Sequence, residues 1–326
     1  MLIKNIITSN ELDMHNQQFT VEELEKIARD LTESECAVRM GLQHDPTVMP
    51  VGKIISGRIV EYEKDHIGVE ADIDIFIDEF IETSFDGDEV LFVGESKFDS
   101  RPFMSQVASD GQKNCLMINP LIVAQSDYNE IVKCIEENED FELKELVQKS
   151  AFNDLQIWLY LAIGSLGILT AEKTYGKLSD HISDDVVTVY NKTKKMLLNL
   201  ASKVFCRKQV VYVISEPEQP IELVIITNDA NELMRSFGEL QNGEIALLYK
   251  KYNDYLLGGI AKIQFVYNNV EAKWELSYIM TYTGQVIGTY KTYRKAVKLF
   301  QETMNSPTPG FSIGATREPT REIDDD

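Results

Sequence analysis

Cysteine is scarce in this chain. Its four cysteines are spread over 326 residues, and no two of them form a C-x-x-C pair. This spacing excludes the usual sequence patterns of a zinc site and of a dense disulfide framework. The sequence therefore predicts buried free thiols in a protein that stays in a reducing compartment. The four positions are Cys36, Cys115, Cys134 and Cys206.

Positive charge is scarce as well. The chain has 32 Lys and Arg residues against 53 Asp and Glu residues, which gives a net charge of -21. Such a charge repels a phosphate backbone, so nucleic acid is excluded as the main ligand. The first residues also lack a charged leader followed by an apolar stretch and a small-residue cleavage site, so no signal peptide is predicted. We expect a cytoplasmic protein.

The common catalytic and cofactor motifs are missing too. The sequence has no P-loop, G-x-G-x-x-G, H-E-x-x-H or G-x-S-x-G. The sequence therefore lacks the motifs that usually indicate nucleotide hydrolysis, dinucleotide redox chemistry, zinc proteolysis or ordinary α/β hydrolysis. No cofactor is predicted. Three histidines and three aspartates of the N-terminal region offer metal-ligand chemistry, but the pattern favours a solvated strand face, and no metal is predicted. They are His15, His44, His66, Asp72, Asp74 and Asp78.

One long apolar run is present. Leu155 to Ala171 has seventeen residues with a single strongly polar member. As a helix it would span about 26 Å, slightly less than the ~30 Å hydrocarbon core of a membrane. Trp158 and Tyr160 at one end, with Lys173 and Lys177 beyond the other, would suit a single membrane span whose C-terminal side is cytoplasmic. The favoured alternative is a helix buried between domains, since its glycines would let another helix pack closely.

The hydrophobic periodicity predicts an α+β protein. Phe19 to Leu31 is an amphipathic helix with Thr20 as N-cap and Glu23 three residues later. From Ala37 onward, alternating residues predict a long hairpin with its turn at Lys64-Asp65. Further strands are predicted at the sequences EVLFVGE, NCLMINPLIVA, QVVYVIS, IELVIIT, IALLYKK, GGIAKIQFVY and AKWELSYIMTY.

This order of elements predicts four regions. Residues 1–125 form a β-rich domain, and residues 126–206 form a central helical layer that includes the apolar run. Residues 207–304 form an α+β sandwich with strands on one helical layer. The tail, residues 305–326, is rich in Pro, Gly and charge, and is predicted to be flexible.

A resemblance to a known family begins near His44. A His-Asp pair ends a strand there, a short loop follows, and the sequence Pro-Val-Gly-Lys opens the two-stranded hairpin. Together with the preceding helix EELEKIARDL, this order resembles the prohead proteases of tailed phages, over about Met14 to Gln106. In that family the His is the general base of a serine protease, and an acidic residue orients its imidazole.

The resemblance implies three catalytic residues. His44 matches the base, Glu95 in the sequence GESKFDSRP matches the orienting acid, and Ser96 is the fallback nucleophile. The family's nucleophile motif, a Ser followed by an apolar residue, Gly and Phe, does not occur between His44 and Glu95. The sequence Phe311-Ser312-Ile313-Gly314 resembles it, but far later in the chain, in the tail.

Three functions follow from these patterns. The leading hypothesis is a non-catalytic protein-interaction or assembly module of phage-like origin that binds a protein partner, such as a capsid or other phage protein. The first alternative is an active serine peptidase that uses His44, Glu95 and Ser96 or Ser312, and acts on itself or on a capsid-type protein. The second is an interaction protein anchored by a single membrane span at residues 155–171.

Overall fold

The computed structural model describes most of the chain as a mixed α+β protein with two sheets. The five-stranded sheet has the order β1-β4-β3-β2-β15, and the ten-stranded sheet has the order β5-β6-β14-β13-β12-β11-β10-β9-β7-β8. The predicted α+β class is therefore confirmed. The described residues are 1–11, 18–42, 45–63, 66–86, 89–104, 113–120, 123–145, 155–161, 184–205, 209–216, 219–240, 243–305 and 311–312.

Within these residues the six α-helices are α1 (Val21–Glu33), α2 (Gln125–Glu136), α3 (Asp184–Lys203), α4 (Ala230–Leu240), α5 (Glu244–Tyr255) and α6 (Tyr290–Met304). A 3₁₀ helix spans Ile77–Glu79. The strands are β1 (Leu2–Ser9), β2 (Val38–Leu42), β3 (Gly52–Glu63), β4 (His66–Ile75), β5 (Ile81–Phe85), β6 (Glu89–Glu95), β7 (Asn114–Ile118), β8 (Phe141–Glu145), β9 (Leu155–Tyr160), β10 (Val210–Ser215), β11 (Ile221–Thr227), β12 (Ile260–Asn268), β13 (Lys273–Thr281), β14 (Gln285–Thr289) and β15 (Phe311–Ser312).

The five-stranded sheet contains the predicted helix and hairpin. Strands β3 and β4 pair antiparallel over their whole length. The α1 helix begins with the predicted capping box, in which the Thr20 hydroxyl accepts from the Glu23 N–H and the Glu23 carboxylate accepts from the Thr20 N–H. Its buried face packs on the sheet so closely that a Cβ at Gly57 of β3 would lie 2.8 Å from a methyl carbon of Leu31. A larger residue at this position would therefore require the Leu31 side chain to shift.

The ten-stranded sheet forms the main core. Residues of α2 to α5 pack with one face of its strands in a single apolar cluster that includes Leu197, Phe237 and Ile245. The other face joins the five-stranded sheet, because Tyr278 and Met280 of β13 belong to the apolar cluster of the small sheet. Strands β5, β6 and β7 of this large sheet come from the predicted first domain, so the sheet continues across the expected boundary at residue 125.

The apolar run begins as a strand, so the prediction of a helix from Leu155 is wrong over Leu155–Tyr160. This segment is β9, which pairs parallel with β10 and antiparallel with β7, and all six of its residues are buried. A strand buried on both faces reads as a continuous apolar run and so resembles a buried helix in sequence. Among the described helices, none is long and apolar enough to cross a membrane. Residues 162–171 of the run lie outside the described residues.

Three smaller predictions are also corrected. The sequence IALLYKK lies in α5, because Ile245, Leu248, Tyr249 and Tyr252 recur at helical spacing and pack on the core. Asp78 lies in the 3₁₀ helix, beyond the end of β4, so it does not extend the strand face of the other two aspartates. In the tail, Phe311 and Ser312 form β15 against the edge of β2.

Candidate functional site

Ser96, the fallback nucleophile, follows β6 directly. Its Oγ donates a hydrogen bond to Asp74 Oδ2 at 2.7 Å. The same oxygen accepts from the backbone N–H groups of Phe98 at 3.2 Å and Asp99 at 2.9 Å. A hydroxyl has one proton to donate and two lone pairs that accept, so these three bonds use the full capacity of Ser96.

Glu95 and Ser96 are neighbours in sequence but have different surroundings. Glu95 is the last residue of β6 and is exposed, and its carboxylate accepts from Gln285 Nε2 at 2.9 Å. His44 lies outside the described residues. His66 is the one histidine within them, and its Nδ1 lies 2.8 Å from Glu11 Oε1, at the far end of β4 from Asp74. The described residues therefore place no imidazole beside Ser96.

A buried lysine lies in the loop that Ser96 begins. Lys53 of β3 is fully buried, and its Nζ donates to the carbonyl oxygens of Asp99 at 2.9 Å and Arg101 at 2.5 Å. The Nζ also lies 4.8 Å from the centroid of the Phe103 ring. Burial lowers the pKa of Lys53, although the nearby Asp99 carboxylate acts in the opposite direction.

Arg101 completes this cluster. Its guanidinium forks onto the Asp99 carboxylate, with the shortest contact at 2.6 Å, and donates to the carbonyl oxygens of Ser34 at 2.9 Å and Ile55 at 2.6 Å. Burial acts to raise the pKa of Asp99, but the hydrogen bonds from Arg101 outweigh it and lower that pKa. The loop from Ser96 to Arg101 is thus held to the small sheet by fully engaged polar groups.

A second polar cluster lines a cleft between the two sheets. The cleft is bordered by Arg39 of β2, Glu222 of β11 and Lys262 of β12. Arg39 Nη1 donates to the hydroxyl of Tyr278 at 2.7 Å, and Lys262 Nζ lies 2.6 Å from Glu222 Oε1. The other lining residues are Met104, Tyr160, Ser215, Glu216, Gln219, Pro220, Ile221, Ala261 and Met280.

Charges of both signs are stabilised in this cleft. Burial acts to raise the pKa of Glu222, but Lys262 and Arg39 outweigh it and lower that pKa. Burial likewise opposes the charge of Arg39, yet Tyr278 and Glu222 raise its pKa. The pKa of Tyr160 is raised by burial and by the Glu222 charge, so its phenol stays neutral near pH 7. The cleft therefore presents fixed charges and hydrogen-bonding groups.

The sequence interpretation missed this cleft. The signal was a charged or amide residue inside an otherwise apolar strand, as at Glu222 in IELVIIT and at Lys262 and Gln264 in IAKIQFVY. A buried polar side chain must find partners, and Gln264 Nε2 donates to Glu222 Oε1 at 2.6 Å and to the Pro46 carbonyl at 2.8 Å. Only the order of strands in the sheet identifies the strands that supply those partners.

The outer edge of β2 leads to the cleft. In β15, Phe311 pairs with Leu42 and Ser312 pairs with Gly41. The backbone of Ser312, the alternative nucleophile, therefore lies opposite Gly41, which is three positions before His44 in the sequence. Further along the same strand, Arg39 lines the cleft.

Asp72 and Asp74, two of the residues with metal-ligand chemistry, have hydrogen-bond donors as partners. Across the described ranges, no group of three or more His, Cys, Asp and Glu side chains is arranged to hold a metal ion. Asp72 instead accepts from Ser56 at 2.9 Å, and Asp74 accepts from Ser96. His15 lies outside the described residues, as His44 does.

No family model, no curated protein and no solved structure matches the chain.

Proposed function

We propose that this chain is a non-catalytic protein-interaction or assembly protein of phage-like origin, whose N-terminal part is a degenerate prohead-protease-like scaffold. The observation that carries the proposal is the environment of Ser96, whose hydroxyl donates to Asp74 and accepts from two backbone N–H groups. A nucleophilic serine needs a lone pair directed at the substrate and a base that takes its proton. In Ser96 the proton is donated to Asp74 and the lone pairs accept from backbone N–H groups, so the hydroxyl holds the loop in place.

Glu95, the proposed orienting acid, likewise has a structural partner among the described residues. Glu95 is exposed and accepts a hydrogen bond from Gln285 of β14, which continues the β6–β14 pairing at the surface. In a catalytic triad the acid is hydrogen-bonded to the imidazole that it orients. The side chains of Glu95 and Ser96 therefore support a scaffold in which both residues have structural roles.

The partner that we propose is a protein. The resemblance to prohead proteases implies a capsid or other phage protein, and the net charge of -21 favours a partner that carries positive charge. The compartment that we propose is the cytoplasm, because Cys36, Cys115 and Cys134 are free thiols.

Self-processing tests this proposal. The full chain and a His44→Ala, Ser96→Ala double variant are incubated for a day and followed by intact-mass spectrometry. We expect both masses to remain unchanged. Trimming of the parent chain that the double variant does not show would reject the non-catalytic function.

A second candidate is an active serine peptidase that uses Ser312. The specific observation in its favour is that β15 pairs Ser312 with Gly41, on the strand that leads to His44. This candidate predicts that the parent trims itself or a capsid-type protein, and that Ser312→Ala and His44→Ala each abolish the trimming. A Ser96→Ala variant would retain it, which separates the two serines.

A further inference from the structure

We propose that the cleft between the two sheets binds a small free α-amino acid, whose carboxylate contacts Lys262 and the Tyr160 hydroxyl and whose ammonium contacts Glu222. This ligand goes beyond the protein-binding function above and does not depend on the role of Ser96. Three features of the cleft support it: the alignment of its polar side chains, the hydrogen-bonding capacity that they leave unused, and the balance of their charges.

Polar side chains form a row across five adjacent strands of the large sheet. Tyr160 of β9 pairs with Ser215 of β10, Ser215 with Glu222 of β11, Glu222 with Gln264 of β12, and Gln264 with Tyr278 of β13. Residues that pair directly across neighbouring strands project their side chains to the same face of the sheet. All of them except Ser215 are buried. Buried polar groups are costly unless they have partners, so their contacts show which groups remain available.

Part of this row is satisfied within the protein. Gln264 Nε2 donates to Glu222 Oε1 at 2.6 Å, and Arg39 of the facing sheet donates to the Tyr278 hydroxyl at 2.7 Å. Lys262, also from β12, has its Nζ at 2.6 Å from the same Glu222 oxygen. The Lys262–Glu222 ion pair is therefore held in place by the protein itself.

Three groups at the cleft keep capacity that the described part of the chain does not use. The Tyr160 hydroxyl has no hydrogen-bond partner there, although the residue is only 4% exposed. Glu222 makes its contacts through Oε1, which leaves Oε2, and Lys262 Nζ uses one of its three N–H donors. Neither oxygen is sealed from solvent, and both residues line the cleft, so these groups face the open space.

The charges at the cleft indicate the class of ligand. The lining side chains include two cations, Arg39 and Lys262, and two anions, Glu216 and Glu222. This balance disfavours a divalent cation, which prefers an excess of carboxylates, and also a phosphate group, which prefers an excess of positive charge. A zwitterion, which carries one charge of each sign, matches the cleft.

An α-amino acid carries both of its charges on groups bonded to one carbon atom. It can therefore contact both members of the ion pair at once, with its carboxylate toward Lys262 and its ammonium toward Glu222 Oε2. Burial raises the pKa of Tyr160, so its hydroxyl stays protonated and can donate to the same carboxylate. At either end of a peptide one of the two charged groups has become an amide, so the ligand that fits is the free amino acid.

The available space restricts the side chain of this ligand. The cavity volume is about 40 Å³, well below the ~300–1,000 Å³ of sites that hold drug-sized ligands. The thioethers Met104 and Met280 border the cavity and offer no further polar partner of comparable strength. Glycine, the smallest α-amino acid, is therefore the appropriate probe.

Titration calorimetry of the full chain with glycine tests the site. We expect one molecule to bind per chain with a dissociation constant of about 1 mM or tighter, which is within reach of a ligand this small. Acetate, which lacks the ammonium, and methylamine, which lacks the carboxylate, should each bind about tenfold more weakly or worse, because each loses charge-assisted hydrogen bonds.

Tyr160→Phe removes a hydroxyl that has no partner in the described part of the chain, so the fold should be retained. We expect this variant to bind glycine about tenfold more weakly than the parent, because the carboxylate loses a donor. The matched control is Tyr255→Phe. Tyr255 is exposed and its ring packs against Phe85 of β5, so this variant should bind glycine as the parent does.

Three results would overturn the proposal. The first is no binding of glycine to the parent at concentrations up to about 10 mM. The second is equal affinity for glycine and acetate, which would indicate a site for simple anions. The third is unchanged affinity in a Tyr160→Phe chain whose circular dichroism spectrum equals that of the parent, which would place glycine elsewhere. The comparison of the three ligands uses the parent chain alone, so it decides the matter even if a variant misfolds.

Discussion

Ser96 donates its hydroxyl proton to Asp74 across 2.7 Å, which ties the loop after β6 to strand β4 of the other sheet. Asp74 is almost fully buried and also contacts the amino group of Met1 at 3.4 Å. A buried carboxylate must be paired or hydrogen-bonded, because burial of a bare charge is costly. The Ser96–Asp74 bond is therefore part of the scaffold, and its removal should affect stability.

Replacement of Ser96 tests this structural role. Ser96→Ala leaves the buried Asp74 carboxylate without one of its donors, so we expect the free energy of unfolding to fall by about 1–3 kcal/mol. Ser100, four residues later in the same loop, is exposed, so Ser100→Ala should change stability by less than about 0.5 kcal/mol. Urea unfolding of the three chains measures both values. Equal stability of the Ser96→Ala chain and the parent would contradict the structural role.

The buried lysine gives a pH-dependent prediction. Lys53→Met removes a donor from the carbonyl oxygens of Asp99 and Arg101, which should cost about 1–3 kcal/mol near pH 7. The folded-state pKa of Lys53 lies below its ordinary value of 10.5, so between those two values the unfolded chain binds more protons and stability rises with pH. The parent should therefore gain stability relative to Lys53→Met as pH rises through that window.

The control for this experiment is a lysine at the surface. The Lys298 side chain is 79% exposed, so Lys298→Met should track the parent at every pH. A stability gap between Lys53→Met and the parent that does not change with pH would contradict the lowered pKa of Lys53.

The cleft carboxylate gives a second pH-dependent prediction, at acid pH. Glu222→Gln leaves the largely buried Lys262 without its charged partner, which should cost about 3 kcal/mol, the lower end for such pairs. Because the folded-state pKa of Glu222 is below 4.5, its contribution is fully present above that pH and is lost as pH falls through the folded value. Urea unfolding from pH 7 to 3 should show the gap between variant and parent closing with acid.

The matched control is an exposed ion pair. Glu302 lies one helical turn from Lys298, and both side chains are more than half exposed. Glu302→Gln should cost no more than about 0.5 kcal/mol. If Glu222→Gln behaved in the same way, the charges in the cleft would not stabilise each other as we describe.

Two glycines should respond to alanine with opposite signs. Gly284 has a φ of +79°, and a Cβ there would collide with Lys53 Nζ and lie 2.7 Å from the Arg101 carbonyl oxygen. Gly284→Ala should therefore destabilise the chain by more than the ~1–2 kcal/mol that a left-handed backbone costs alone. Gly238 lies inside α4, and among the described residues no atom outside the backbone of its own helix lies within 4 Å of an added Cβ. Gly238→Ala should therefore stabilise the chain by about 0.5–1 kcal/mol. Thermal unfolding measures both effects: the midpoint should fall for Gly284→Ala and rise for Gly238→Ala, relative to the parent chain.

Local patterns predicted a large part of the fold. The Thr20–Glu23 capping box and the β3–β4 hairpin depend on residues close in sequence, and both are confirmed. The strand at Leu155–Tyr160 was predicted as a helix because a strand buried on both faces reads as a continuous apolar run. The strands that pair with it, β7 and β10, are distant in the chain, so no local pattern indicates them. The sequence IALLYKK, which lies inside the helix Glu244–Tyr255, was predicted as a strand because a short apolar run fits either period.

The candidate site was less predictable for the same reason. Ser96 was found through a family resemblance, but its partner Asp74 follows from the approach of two sheets, and the sequence carries no local sign of it. The cleft combines residues of β2, β9, β10, β11, β12 and β13. Polar residues inside apolar strands indicated that partners must exist, although only the sheet order identifies them.

The most direct test of the central claim is labelling of the full chain by a serine-directed fluorophosphonate, followed by intact-mass spectrometry and mapping of the labelled residue. Ser96→Ala, Ser312→Ala and His44→Ala chains serve as controls. Because the hydroxyl of Ser96 is fully engaged by Asp74 and two backbone N–H groups, we predict an unmodified mass for all four chains after a day. A label on Ser96 or Ser312 that disappears in His44→Ala would contradict the account and establish a serine peptidase.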